Sequence, residues 1–199
     1  MVLVLVVMAL VMSGLLAFVN GVTAPTIDEQ AKKVLAEGIK AVVGTESATV
    51  SATDTVSLQL NGKAQPYIVY HVRTPEGERA AVESRTLGFG GDLNVLVGLT
   101  ADGEILGYTI LESAETPGLG AKADQWFQRD GKGDIIGEKL NKHDLEVTKD
   151  GGTIDAITAS TITSRAFLKA VNQAYRALKA KTKDARLDSS SANKKGETL

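Results

Sequence analysis

The chain of 199 residues contains no cysteine. That excludes disulfides, thiolate zinc sites, cysteine-held iron–sulfur clusters and thioether-linked cofactors. Histidine is nearly as scarce. His71 and His143 stand far apart with no ligand spacing around either, so both read as structural or surface residues. Neither a metal site nor a catalytic triad has support. The net charge is −2 and no dense basic face is present, which argues against a nucleic-acid partner. No dinucleotide-binding fingerprint occurs, and no P-loop lysine follows the one glycine cluster, Gly88-Phe89-Gly90-Gly91. The chain is therefore not expected to oxidise NADH by itself. No internal repeat is evident.

Charge is also missing from the whole N-terminal stretch, up to Asp28. Val2 to Val19 are all apolar or small, and eighteen helical residues reach roughly 27 Å, enough to cross a hydrocarbon core. A cleaved signal peptide is the rival reading, but the basic n-region is absent. Its one small-residue site, Val22-Thr23-Ala24, is followed by Pro25. Residues 1–24 are read as a single uncleaved membrane anchor. Lys32 and Lys33 after the span are offset by Asp28 and Glu29, so charge does little to set its orientation.

Beyond the span, Pro25 and Thr26 are expected to open a separate helix. Ile27, Ala31, Val34, Leu35, Ile39 and Val42 have helical spacing, Thr26 and Glu29 fit a capping box, and Gly44 ends the pattern. Val56, Leu58 and Leu60 alternate up to the turn signal Asn61-Gly62, and Tyr67 to Val72 reads as a strand. Leu93–Thr100 and Glu104–Leu111 are apolar, β-branched runs joined by Ala101-Asp102-Gly103, a hairpin pattern. Glu115-Thr116-Pro117-Gly118-Leu119-Gly120 follows as a tight loop, then a short helix around Trp126-Phe127. Trp126 reads as core. Lys149 to Gly152 is a polar turn that delivers Thr153–Ile157 as a short strand.

The segment from Asp155 to Arg165 concentrates small and hydroxyl residues ahead of an amphipathic pattern. Phe167, Val171, Ala174, Tyr175 and Leu178 predict a helix over about 162–181. Ser and Thr at a helix start cap free N–H groups, and such an N-terminus attracts phosphate. Residues 184–199 have little to bury and are expected to be a disordered polar tail.

The stretch Asp155-x-x-Thr158-Ala159-Ser160-Thr161-x-Thr163 resembles the flavinylation motif of the FMN-binding domain family. That family includes the G subunit of Rnf complexes and the C subunit of the sodium-pumping NADH:quinone reductase. The Glu115–Gly120 hexamer matches a hallmark of the same family without departure, and the glycine cluster resembles the lead-in to its central hairpin. The likeness covers about Phe89 to Leu178, and the anchor matches as well. Two positions depart from the motif: Ala159 stands for the usual Gly and Ser160 for the usual Ala. Both are small, though Ala159 resists the positive φ that glycine allows.

The resemblance implies an α+β domain over residues 25–183, an antiparallel sheet flanked by helices and preceded by one transmembrane helix. It implies FMN joined through its phosphate to Thr161 by a flavin transferase. Thr158, Ser160 and Thr163 are expected to contact the phosphate or the transferase, and Asp155 to be read by the transferase. Ala159 sits at the backbone approach to the phosphate, and Glu115, Thr116, Gly118, Leu119 and Gly120 are expected to line the flavin. The chain would be an electron-transfer component of a redox-driven ion-translocating complex, and not a stand-alone enzyme. It would work beside other subunits, in a bacterial or archaeal inner membrane, with its soluble domain outside the cytoplasm. The Rnf complex is favoured over the quinone reductase by the compact length. An anchored, flavin-free structural subunit is the alternative from another class.

Overall fold

The computed structural model describes the backbone of residues 2–45, 47–60 and 62–195, and their side chains except those of residues 28, 63 and 183–195. The chain divides into two units, Met1–Glu37 and Gly38–Leu199.

The first unit is helical. α1 runs Val2–Val43, and its last residues belong to the second unit. Its most apolar window of 18 residues has mean hydropathy 3.0 and is not buried at all, so the helix is long and apolar enough to cross a membrane. The expected fresh start at Pro25–Thr26 does not occur. α1 passes through Pro25, and Thr26 with Glu29 caps nothing. A proline costs a helix interior about 3 kcal/mol through its missing N–H and its clash with the preceding turn. Here strong helical sequence on both sides outweighs that cost. Two residues earlier Thr23 returns its hydroxyl to the Val19 carbonyl, a local adjustment that such helices use around proline.

In the second unit α1 stops at Gly44, which has φ +71. The N–H groups of Gly44 and Thr45 turn back to the carbonyls of Ala41 and Lys40, each at 3.3 Å, closing a Schellman motif. Five strands follow: β1 Thr49–Leu60, β2 Lys63–Thr74, β3 Gly77–Leu87, β4 Asp92–Thr100 and β5 Ile105–Ser113. They lie in chain order, each antiparallel to the one before. The expected α+β class and the central hairpin, now β4–β5, are what the fold contains. β3 escapes a reading by pattern because Glu78, Arg79, Glu83 and Arg85 interrupt its apolar residues. Pairing of Val82 with Val97 places it in mid-sheet.

After β5 a short helix, α2, spans Ala123–Trp126, where one was expected. One sheet face is covered by α3, Thr161–Lys195. Phe167, Val171, Ala174 and Leu178 share a core with Tyr67, Val69, Val82, Val95 and Val97. Phe167 stacks on Phe127 with centroids 4.4 Å apart and meets Tyr108 edge-on at 4.7 Å. The other face takes the end of α1. A Cβ on Gly98 would stand 2.1 Å from the Val42 carbonyl oxygen, so only glycine lets the helix end seat there.

Two expectations change after β5. The predicted strand Thr153–Ile157 shrinks to a single bridge between Val147 and Ile154. The bridge consists of the Thr148 N–H on the Ile154 carbonyl at 2.9 Å and the Ile154 N–H on the Glu146 carbonyl at 3.2 Å. Beyond it the Ile157 N–H turns away to Ser164 Oγ at 2.9 Å. α3 also continues helically past Lys181 to Lys195, across most of the segment expected to be a tail. Residues 196–199 of that segment lie outside the described residues.

Candidate functional site

α3 starts beneath a short turn that sequence and packing hold together. Ala159 has φ +62, one of two positive-φ residues other than glycine in the described chain. Ser160 follows, and its carbonyl accepts both the backbone N–H and the hydroxyl of Ser164, each at 3.0 Å. Ser164 Oγ in turn accepts the Ile157 N–H, so this buried serine locks the turn to the first turn of α3. On the other side Trp126 Nε1 donates to the Asp155 carbonyl at 2.8 Å, which makes the tryptophan a pin for this segment.

The loop after β5 is equally determined. The Leu119 N–H reaches the Thr116 carbonyl at 3.1 Å, with Pro117 and Gly118 between them and Gly118 at φ +75. That is a type II turn, whose third position requires a residue able to take positive φ. Gly120 then packs between Glu115 and Thr163: a Cβ there would meet Glu115 Oε2 at 2.5 Å and Thr163 Oγ1 at 2.8 Å. Thr163 is buried at this contact.

Glu115 links the third segment. Its buried carboxylate accepts the Phe89 N–H at 2.7 Å and the Gly90 N–H at 3.3 Å. A Cβ on Gly88 would collide with the same carboxylate at 2.0 Å. Glu115 thus braces the glycine cluster from behind, with both oxygens engaged by backbone.

These three segments enclose a pocket of about 290 Å³ lined by Phe89, Glu115, Thr116, Leu119, Ala159, Ser160, Thr161, Ile162 and Thr163. Of the residues expected around the cofactor, Gly118 and Gly120 shape the loop without lining the pocket. Thr158 and Asp155 are exposed and outside its lining. Phe89 and Ile162 are additions. Phe89 was legible only as part of a turn, and Ile162 only as a helix residue.

Lys149 is the other addition. It sits on a 3-10 turn, Thr148–Asp150, and its Nζ donates to Thr161 Oγ1 at 3.1 Å. Next to it Asp150 holds Arg165 in a two-pronged pair at 2.6 Å for both bonds. The guanidinium keeps the Asp150 carboxyl below its ordinary value, and the carboxylate raises the guanidinium in turn.

The lining suits an amphipathic anion. Phe89, Leu119 and Ile162 keep much of their surface exposed, at 70%, 42% and 53%. Thr116, Ser160 and Thr161 line the same pocket, and α3 opens there at Thr161 with the N–H groups that a helix start leaves without intrahelical partners. A planar aromatic group with a phosphate tail fits those residues, and FMN is such a group.

Residues 88–176 match the FMN-binding domain family, and residues 2–42 match the RnfG N-terminal region. The G subunit of an ion-translocating oxidoreductase complex from Shewanella baltica is 33% identical over 177 residues, covering 83% of this chain and 82% of its own. The chain belongs to the G-subunit family of these complexes. Its Vibrio cholerae counterpart is 32% identical, covering 86% of each chain. The G subunit of the Na+-translocating ferredoxin:NAD+ oxidoreductase complex of Acetobacterium woodii is 34% identical, covering 85% of this chain and 86% of its own. Among solved structures, the C subunit of the Na+-translocating NADH-quinone reductase from Parabacteroides distasonis is 18% identical. It covers 63% of this chain and 74% of that one with a TM-score of 0.44.

Proposed function

We propose that this protein binds FMN in the pocket between Phe89, the Glu115–Gly120 loop and the start of α3, and relays electrons within an Rnf-type ion-translocating complex. The observation that carries this reading is the convergence of three segments distant in sequence on one pocket whose chemistry suits a flavin phosphate. Bound FMN supplies one- and two-electron redox chemistry, and the protein supplies position and surroundings. The apolar rim of Phe89, Leu119 and Ile162 would hold the ring system. Ser160, Thr161 and the N–H groups opening α3 would hold the phosphate.

The attachment is proposed to be covalent, at Thr161. Thr161 Oγ1 forms a bond to phosphorus as the P–O bond of an FMN phosphoanhydride breaks. The departing phosphate takes the electron pair, and the threonine proton passes to a base on a flavin transferase. Thr158 and Asp155, exposed beside the acceptor, are the groups such a transferase would read. α1 would anchor the protein in the inner membrane with the flavin domain outside the cytoplasm, where a tether keeps FMN from being lost.

The test is flavin fluorescence in a denaturing gel after co-expression with a flavin transferase. A fluorescent wild-type band and a dark Thr161→Ala band are expected. A fluorescent Thr161→Ala band removes the assignment. A dark wild type, in which Ala159 and Ser160 mark a lost site, moves the chain to a structural role.

A further inference from the structure

We infer that Lys149 is the counter-charge for the phosphodiester on Thr161, drawing the anionic phosphate to the acceptor and holding it once attached. This rests on the reading of Thr161 as the acceptor. A lysine–threonine hydrogen bond on a surface is ordinarily of little consequence, because a long side chain gives up freedom for one weak contact. Three observations separate this one from that default.

The first is that the lysine's backbone is fixed. The Asp150 N–H donates to the Val147 carbonyl at 2.8 Å, the Gly152 N–H to the same carbonyl at 3.1 Å, and the Thr148 N–H to the Ile154 carbonyl at 2.9 Å. Gly151 takes φ +94, and a Cβ on Gly152 would stand 2.1 Å from the Glu146 carbonyl oxygen. These bonds tie the turn's backbone on both sides of Lys149, and from there its Nζ reaches Thr161 Oγ1.

The second is charge balance. Arg165 lies one helical turn beyond Thr161, but both of its bonds to Asp150 are satisfied at 2.6 Å. That pair is neutral as a unit. Among the described residues Lys149 is in no ion pair. Across Thr148–Asp150 and residues 161–165 of α3, Lys149 is thus the one charge outside that pair, and a phosphodiester carries one negative charge at neutral pH.

The third is the direction of the hydrogen bond. An ammonium only donates, so Thr161 Oγ1 is the acceptor and its own proton is free to be removed. Lysine also suits a tethered group better than arginine here, as a compact charge on a flexible stem that can follow the phosphate. It is a positioning residue, acting on the phosphate and not on the flavin's electrons.

The experiment uses the full-length chain in detergent, with a flavin transferase and its FMN phosphoanhydride donor. The chains compared are wild type, Lys149→Gln, Lys149→Arg, Lys169→Gln and Thr161→Ala. Covalent flavin is followed by intact mass at low and high salt, and the attached flavin is then examined by fluorescence anisotropy. Lys149→Gln should slow labelling roughly five- to tenfold at low salt, with the gap closing as salt is raised. Its attached flavin should show lower anisotropy, while its melting temperature stays that of wild type. Lys149→Arg should recover most of the rate, and Lys169→Gln, at an exposed position of α3, should match wild type. Labelling of Lys149→Gln at the wild-type rate, with wild-type anisotropy, overturns the inference alone. An unlabelled wild type, or a labelled Thr161→Ala, overturns the acceptor reading and this inference with it.

Discussion

The buried carboxylate of Glu115 accepts the backbone N–H of Phe89 at 2.7 Å, tying the loop after β5 to the glycine cluster before β4. Its other oxygen takes the Gly90 N–H. The two loops are separated by the whole β4–β5 hairpin, and this one side chain sets the distance between two walls of the pocket. Removing it leaves donors without a partner, at about 1–3 kcal/mol. Glu115→Ala is expected to lower stability in denaturant by that amount and to weaken flavin retention. Glu115→Gln, which keeps one acceptor oxygen, should fall between. Wild-type stability of Glu115→Ala by urea titration would show that the brace is idle.

Ala159 offers the opposite case. An alanine in the left-handed region costs roughly 1–2 kcal/mol, whereas glycine there loses somewhat more freedom on folding. The difference favours glycine, so Ala159→Gly should stabilise the domain by about 0.5–1 kcal/mol. A higher midpoint in urea is the expected result, and a lower one would mean that the Ala159 methyl makes a contact worth more than the strain.

Gly98 and Gly107 both lie under the end of α1, at different clearances. A Cβ on Gly98 would be 2.1 Å from the Val42 carbonyl oxygen, and one on Gly107 would be 3.1 Å from it. The first contact is with backbone and cannot be relieved by a rotamer. Gly98→Ala should therefore cost about 1–3 kcal/mol, and Gly107→Ala distinctly less. Thermal melts of the two variants would settle the order, and equal losses would contradict this seating of the helix.

Alkali should unfold the domain through its tyrosines. Burial, aided by the charge of Glu83 and a hydrogen bond to it, pushes Tyr70 up to about 12 from its ordinary 10. Burial also raises Tyr67 and Tyr108. The unfolded chain then releases its phenolic protons first, so stability is full below pH 10 and falls as pH rises from 10 towards 12. Tyr70→Phe should flatten that fall, as read from urea midpoints across the range. An unchanged slope would show that Tyr70 ionises freely in the native state.

The sequence by itself determined the features that depend on neighbours along the chain. The apolar N-terminal run, the β4–β5 hairpin, the glycine stop at Gly44 and the turn at Pro117-Gly118 are local, and each follows from backbone preference or hydrophobic period. The start of α3 at Thr161 belongs with them, one residue from the expected position. Pro25 shows the limit of local signs, since a helix breaker yields when helical sequence on both sides is strong enough. β3 shows another: its charged residues hide an alternation that only pairing between β2 and β4 makes clear.

What only the tertiary structure decided is which side chains meet. Lys149 reads as part of a polar turn until that turn is folded against α3, and Glu115 reads as a ligand residue until its carboxylate is found on Phe89 and Gly90. Phe89 and Ile162 become pocket walls in the same way. Local preferences are set by steric limits within a few residues, whereas these contacts form only when the core under α3 brings distant backbone together. The sequence therefore displays the threonine proposed as acceptor, and the packing places a lysine beside it.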